Sequence, residues 1–424
     1  MKKGVQLLKK FSIPHEKKFS KEAVWTLTNH TVYQFANSLS IIFINLYLWR
    51  LTNSLFINGL FNLITLISAP IGTMIMGRFA KQKDRLVVYR YGILLTAIFY
   101  LCILFTQEKM VDYFYIFAIL KGISTAFYWL GYFTLMFDVS NNQNRHRYLG
   151  WNLILTHIAT LVGPVAAGTI ISQSDALSGY PIVFMIAFSL FLIAAIGSFK
   201  MEKSEFHHKK YYMKYLPMML RKRPSLIKTL LGWFIIGFPQ GILIYIPSIL
   251  LFDVIQDEGI IGSLNAIFLA LSILSSYMIT RFAKLEFTKM YLLIAGFGFT
   301  FASMFVVWEL SIYTLILFMS IHAVFKPLQA NSYAAHYYQW IEKLPLKQHF
   351  RVESIVIRET IINTGRALGV FIIMMLSQEL NSVSLPWILC FVLMFQLIIP
   401  SLVDGPYFKK GVDFHAKDRR LGGS

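Results

Sequence analysis

Twelve apolar stretches follow one another along this chain, many of them about 20 residues long, with short polar connections between. A helix rises about 1.5 Å per residue, so a run of that length crosses the ~30 Å hydrocarbon core of a bilayer. Of the 424 residues, 56% are hydrophobic and 14% charged, against about 25% charged in soluble domains. The sequence therefore predicts an all-α polytopic membrane protein. Hydropathy places spans 1–12 at 23–49, 54–77, 88–107, 113–137, 150–172, 181–199, 229–252, 259–280, 290–308, 311–337, 354–377 and 385–403. The first 22 residues are polar and lysine-rich, so no cleavable signal peptide is expected and span 1 itself would direct insertion.

An even number of spans puts both termini on one side. Arg50 and Lys109 are the only basic residues in loops on the other side, and Lys121, Lys326, Arg358 and Arg366 lie within spans. The remaining Lys and Arg crowd the tails and the loops on the terminal side. By the positive-inside rule that side is cytoplasmic, and the protein is expected in the cell membrane. The formal charge of +19 is thus a topological signal distributed over short loops, and nucleic acid is excluded as a partner. Contact of the basic tails with anionic lipid headgroups is the weaker expectation that remains.

Arg78-Phe79-Ala80-Lys81 follows span 2, and Arg281-Phe282-Ala283-Lys284 follows span 8. Equivalent places in two six-span halves predict an internal repeat. The expected units are a tail 1–22, a bundle 23–199, a basic central loop 200–228, a bundle 229–403 and a tail 404–424. The central loop carries Tyr211, Tyr212 and Tyr215 among its lysines. It reads either as an amphipathic segment on the leaflet or as a solvated linker.

Three local patterns bear a family resemblance. Gly77-Arg78-Phe79-Ala80-Lys81 with Arg85 resembles the loop 2–3 motif of the major facilitator superfamily of secondary transporters, Asp138 with Arg145 its acid–six–arginine pattern, and Gly163-Pro164 with Gly168 its exporter and antiporter motif in span 5. The resemblance covers nearly the whole chain. It implies two pseudo-symmetric six-helix bundles about a central cavity, with Gly77, Arg78, Arg85, Asp138, Arg145, Gly163 and Pro164 in gating roles. Two departures stand out: Lys81 replaces the family's usual aspartate, and Ala118 stands where proton-coupled exporters often carry an arginine four residues before Gly122. Asp138 is expected to pair with a cation of the neighbouring bundle, or else to form an ordinary interfacial ion pair.

A charge inside a span costs about 2.5–3.5 kcal/mol on insertion scales, so it faces protein or a watery cavity. Two stripes share one spacing: Lys121, Thr125, Tyr128 and Tyr132 on span 4, and His322, Lys326, Gln329 and Tyr333 on span 10. Steps of four, three and four put each set on one helix face. Glu359, Asn363 and Arg366 form a face of span 11, where Glu359 is expected to neutralise Arg366 while Arg358 snorkels to the interface. His30, Gln34 and Asn37 line span 1, with Asn45 further along. Span 7 is interrupted by Gly237, Pro239, Gln240, Gly241 and Pro247. Lys121, Lys326 and Arg366 against Glu359 leave excess positive charge that water or an anion must compensate.

The sequence therefore predicts a secondary active transporter, acting as a monomer by alternating access. It would export or flip an anionic or amphipathic small molecule or lipid, with a coupling proton or ion. An importer or uniporter of a polar solute such as a sugar or organic phosphate is the alternative. An enzyme is not expected: histidines are scattered, and neither a His-Glu-x-x-His spacing nor a Walker-type loop is present. No cofactor or metal site is expected. Cys102 and Cys390 lie within spans and have no disulfide or zinc spacing.

Overall fold

The computed structural model describes residues 19–82, 84–140, 145–175, 177–202, 210–222, 224–283, 285–342, 350–376 and 384–403. The regular structure among them is entirely helical. Eleven helical segments are long and apolar enough to cross a membrane. The twelfth span of the sequence reading is the helix Lys21–Thr52, which is 32 residues long but more polar. Asn29, His30, Gln34, Ser38, Ser40 and Asn45 are buried along it. Partners inside the protein take up that polarity. Asn29 Nδ2 donates to the carbonyl of Ala194 at 2.6 Å, and Asn62 Nδ2 donates to Asn45 Oδ1 at 2.8 Å. A mean hydropathy threshold misses such a helix because its polar face is turned away from lipid.

Spans 2–6 are the helices Leu55–Gln82, Arg85–Thr106, Phe114–Asp138, Arg145–Ser172 and Gly179–Ser198. Spans 8–11 are Glu258–Phe282, Thr288–Trp308, Ile312–Glu342 and Arg351–Leu376. Several begin earlier than hydropathy suggests, because the helical hydrogen-bond ladder continues past the apolar stretch into the polar loop. Span 3 starts at Arg85, where the Asp84 carboxylate caps the Leu86 N–H at 2.9 Å. Span 7 is broken, as its prolines suggest, into Pro224–Leu243 and Ile246–Ile255. Pro247 opens the second piece and disfavours a helical residue before it. Span 12 runs as Ser384–Met394, a 3₁₀ turn and Ile399–Leu402.

The helix pairings repeat. In the first six, span 4 packs on spans 2 and 3, span 1 on spans 5 and 6, and span 3 on span 6. In the last six, span 10 packs on spans 8 and 9, span 11 on span 7, and span 9 on span 12. Two further pairings join the sets: span 2 with span 11, and span 5 with span 8. Exchanging the two sets converts one of these contacts into the other, which is the signature of a pseudo-twofold relation.

Close backbone approach makes these joints possible. A Cβ on Gly168 would collide with the carbonyl of Glu258, and one on Gly262 with that of Pro164. Gly241 and Gly365 press in the same way on the Arg366 and Phe234 carbonyls, so spans 7 and 11 meet through small residues. Gly163 faces Ser38 of span 1, whose Oγ donates to the Ala159 carbonyl at 2.8 Å.

Candidate functional site: a cationic cavity between two helix sets

A cavity of about 480 Å³ lies between the two sets. Span 2 contributes Asn62, Thr65, Leu66, Ala69 and Thr73; span 4 contributes Lys121, Thr125, Ala126, Trp129 and Phe133. From the other set come Trp233, Gln240 and Ile244 of span 7, and Arg358, Glu359, Ile362, Asn363 and Arg366 of span 11. Ile41 of span 1 completes the wall.

On span 4 the wall follows an i, i+4 row, Lys121–Thr125–Trp129–Phe133. The expected stripe left that row at Tyr128, a step of three that turns away by about a sixth of a circle. Tyr128 and Tyr132 accordingly sit inside the first helix set, 0% and 1% exposed. Tyr132 stacks on His30 with centroids 3.5 Å apart, and Tyr128 stacks on Tyr33 at 3.3 Å. The Tyr128 hydroxyl lies 2.5 Å from His30 Nδ1, and Tyr132 donates to Asn152. His30 is thus a buried packing residue here, and neither Gln34 nor Asn37 reaches the cavity wall.

Span 10 shows the same outcome. Tyr333 donates to the Thr229 carbonyl at 2.6 Å, Gln329 to Gln396 Oε1 at 2.9 Å, and His322 lies against Phe299. All three are buried between helices of the second set. Lys326 is exposed and lies outside this cavity's wall, within electrostatic reach of Arg366. An i+3/i+4 spacing finds a polar face, but a face that satisfies its polar atoms against a neighbouring helix satisfies the pattern equally well.

Six of the expected residues do meet in the cavity: Lys121, Thr125, Gln240, Glu359, Asn363 and Arg366. Arg366 donates Nε and Nη2 to Gln240 Oε1 at 3.1 and 2.7 Å, and Nη1 to Asn363 Oδ1 at 2.9 Å. Glu359 forms its direct ion pair with Arg358, whose Nη2 donates to Glu359 Oε1 at 2.7 Å, while its charge still acts on Arg366 without a salt bridge. Arg358 does not snorkel; its guanidinium lies 5.1 Å from the Phe133 ring and 5.9 Å from the Trp233 ring. Lys121 has a different environment. Its ammonium stands 5.2 Å from the Phe61 ring, with no carboxylate in salt-bridge range among the described residues. Lys121, Arg358 and Arg366 against Glu359 leave the wall two positive charges in excess.

Asn62, Thr65, Thr73, Trp129, Trp233 and Arg358 were not among the expected site residues. The polar residues Asn62, Thr65 and Thr73 within the mostly apolar span 2 were a readable signal. The tryptophans carried none, since lipid-facing aromatics are common.

Ion pairs join the two sets on both sides of the cavity. On the terminal side Lys81 pairs with Glu353 of span 11, with side chains 4% and 0% exposed. Tyr212 N–H donates to the same carboxylate oxygen at 2.7 Å, and the Lys81 ammonium lies 4.8 Å from the Tyr212 ring. Gly77 lets this corner close, since a Cβ there would come within 2.7 Å of Val356 Cγ2 and 3.0 Å of the Tyr211 hydroxyl. Burial and the Glu353 charge push that hydroxyl up to about 12. The central-loop tyrosines therefore pack at the joint between the sets. Ala80, Val352, Ile355 and Val356 form an apolar cluster beside the pair.

Asp138 pairs with Arg85 of span 3, within its own set. The Arg145 side chain lies outside the described residues, as do Lys284 and residues 1–18 and 404–424. Arg78 is exposed. On the opposite side Arg50 Nη1 donates to Glu258 Oε1 of span 8 at 2.6 Å, and the Tyr180 hydroxyl donates to that oxygen at 2.9 Å.

A family model described as Major Facilitator Superfamily matches residues 26–339. The chain belongs to the Major Facilitator Superfamily. Solved superfamily-like structures agree at the level of fold. A bacterial homologue of the iron transporter ferroportin in its inward-facing state superposes with a TM-score of 0.66 and 12% identity, over 90% of this chain and 98% of that one. A D-xylose–proton symporter gives 0.67 and 14% over 90% and 97%, and the nucleoside transporter NupG 0.65 and 10% over 90% and 98%. Their cargoes differ, so the likeness carries the fold alone. Among sequence relatives, Uncharacterized protein YqgE of Bacillus subtilis (strain 168) is 27% identical over 83% of this chain and 81% of its own length. A shorter one from Geobacillus stearothermophilus, named for its place in the sodM 3' region, is 35% identical over 36% of this chain and 72% of its own length.

Proposed function

We propose that this superfamily member is a secondary active transporter of a small organic anion, with the cavity between the two helix sets as its binding site. The observation that carries the reading is the double positive excess of the cavity wall, with no acidic partner for Lys121 among the described residues. Half-buried charge without a counter-charge is unfavourable, and a bound anion would compensate it. The volume falls within the ~300–1,000 Å³ range of small-molecule sites. Trp129, Trp233 and Phe133 supply apolar wall for an amphipathic substrate.

Units 23–199 and 229–403 would move against each other about this site. The two ion pairs that bridge them, Arg50–Glu258 and Lys81–Glu353, would break in alternation. Export from the basic, cytoplasmic side of the cell membrane is the direction favoured by the Gly163-Pro164 resemblance.

A thermal-shift panel on the purified protein tests the reading, because a ligand that binds the native state raises its stability. Aromatic carboxylates and organic phosphates should raise the melting temperature in a dose-dependent way. Their uncharged analogues should not. Lys121→Gln should weaken the anion response. Stabilisation by neutral sugars alone, unchanged in that variant, would favour the polar-solute reading instead.

A further inference from the structure

The two excess charges of the cavity come from different places. Lys121 belongs to span 4 of the first helix set; Arg366 belongs to span 11 of the second. The third cation, Arg358, is occupied by Glu359, with Nε and Nη2 both directed at one carboxylate oxygen at 3.1 and 2.7 Å. Arg366 is held by neutral amide oxygens at three of its N–H groups. A guanidinium has five N–H donors in a rigid fork, so two remain for a ligand, and the amides orient the fork without cancelling its charge. The Lys121 ammonium carries three donors and, among the described residues, faces the Phe61 ring and no carboxylate in salt-bridge range.

From this division we infer that the substrate is a compact dianion, one charge for each helix set, joined to a flat apolar body that lies along Trp129 and Trp233. The inference rests on the proposed anion-transport reading and narrows it to a charge state. A monoanion satisfies Lys121 or Arg366 and leaves the other uncompensated. A dianion, either a phosphomonoester or a dicarboxylate, satisfies both and ties the two sets together. Binding energy then falls on the contact between the sets, which is the coordinate that a rocking transporter must control.

The test compares phenyl phosphate with its monoanionic diester, methyl phenyl phosphate, by calorimetry on the full-length protein in nanodiscs at pH 7. The second ionisation of a phosphomonoester lies near ~6, so the monoester is mostly dianionic there. Phthalate against monomethyl phthalate provides the dicarboxylate arm. The dianion of at least one pair should bind tighter than its monoanionic partner by about 10-fold or more, the worth of one charged hydrogen bond. Lys121→Met should abolish that preference while still binding the monoanion. Lys121→Arg should retain it.

Equal binding of both members of each pair by the native protein overturns the dianion inference and leaves the anion site standing. Failure of all four probes to bind overturns both. The wild-type ratio decides the matter even if a Lys121 variant does not fold.

Discussion

Removing one member of the Lys81–Glu353 pair should open the terminal-side joint. The pair is buried, with side chains 4% and 0% exposed. Breaking a buried ion pair by deleting one partner costs about 3–5 kcal/mol, because the other charge is stranded. Lys81→Met leaves Glu353 with the Tyr212 N–H, which offsets about 1.5–3 kcal/mol. The expected net cost to the closed joint is therefore about 2 kcal/mol from the midpoints of those ranges, or a population shift of roughly 30-fold toward the separated arrangement. Glu353→Gln should act in the same direction.

The double variant Lys81→Met with Glu353→Leu should recover much of the loss, because apolar replacements of a buried pair are often neutral or stabilising. Spin labels at exposed positions near the terminal-side ends of spans 2 and 11 would report the distance distribution by pulsed electron resonance. The single variants should enrich the longer distance and the double variant should reverse it. Unchanged single variants, or a double variant more open than either single, would refute the latch.

Further consequences follow from other contacts. Glu258→Gln, which loses the charge that Arg50 faces across the opposite side, should increase thiol labelling of a cysteine placed at Thr65, and Tyr180→Phe should do so more weakly because it removes one hydrogen bond. Gly365→Ala places a methyl group against the Phe234 carbonyl; overpacking of that kind costs about 1–3 kcal/mol, to be read as a lowered melting temperature. Tyr128→Phe removes the hydroxyl beside His30. It should lower thermal stability by about 1 kcal/mol and leave anion affinity within twofold, since that stack lies away from the cavity.

The fold was legible because the strongest signals were the ones the membrane imposes. Apolar runs set the helices, and Pro247 marked the break in span 7, while Pro239 sits within an unbroken helix. Helix ends were less legible, since the backbone ladder of spans 3, 5 and 11 runs on through polar residues. The site was legible only in part. Lys121 and Arg366 announced themselves as charges in apolar segments, and both line the cavity. Tyr128, Tyr333 and Gln329 had equally suggestive spacing, but their polar atoms are satisfied by His30, Thr229 and Gln396 inside each helix set.

Reversal of the latch charge was visible in Lys81 but not its consequence, because nothing in sequence connects residue 81 with residue 353. Glu359 shows a further limit. Its neighbour in sequence, Arg358, competes for it with Arg366 and wins by geometry.

The most direct test concerns the electrostatic potential of the cavity and needs no knowledge of the substrate. Cys102 and Cys390 are replaced by serine and a cysteine is placed at Thr125, on the cavity wall. Rates of modification are then compared for negatively and positively charged methanethiosulfonate reagents of similar size, each normalised to a free thiol. Two excess positive charges nearby should favour the anionic reagent by about tenfold or more, equivalent to ~1.4 kcal/mol, and Lys121→Gln with Arg366→Gln should erase the bias. Equal normalised rates, or a preference for the cationic reagent, would contradict a cavity built to receive an anion.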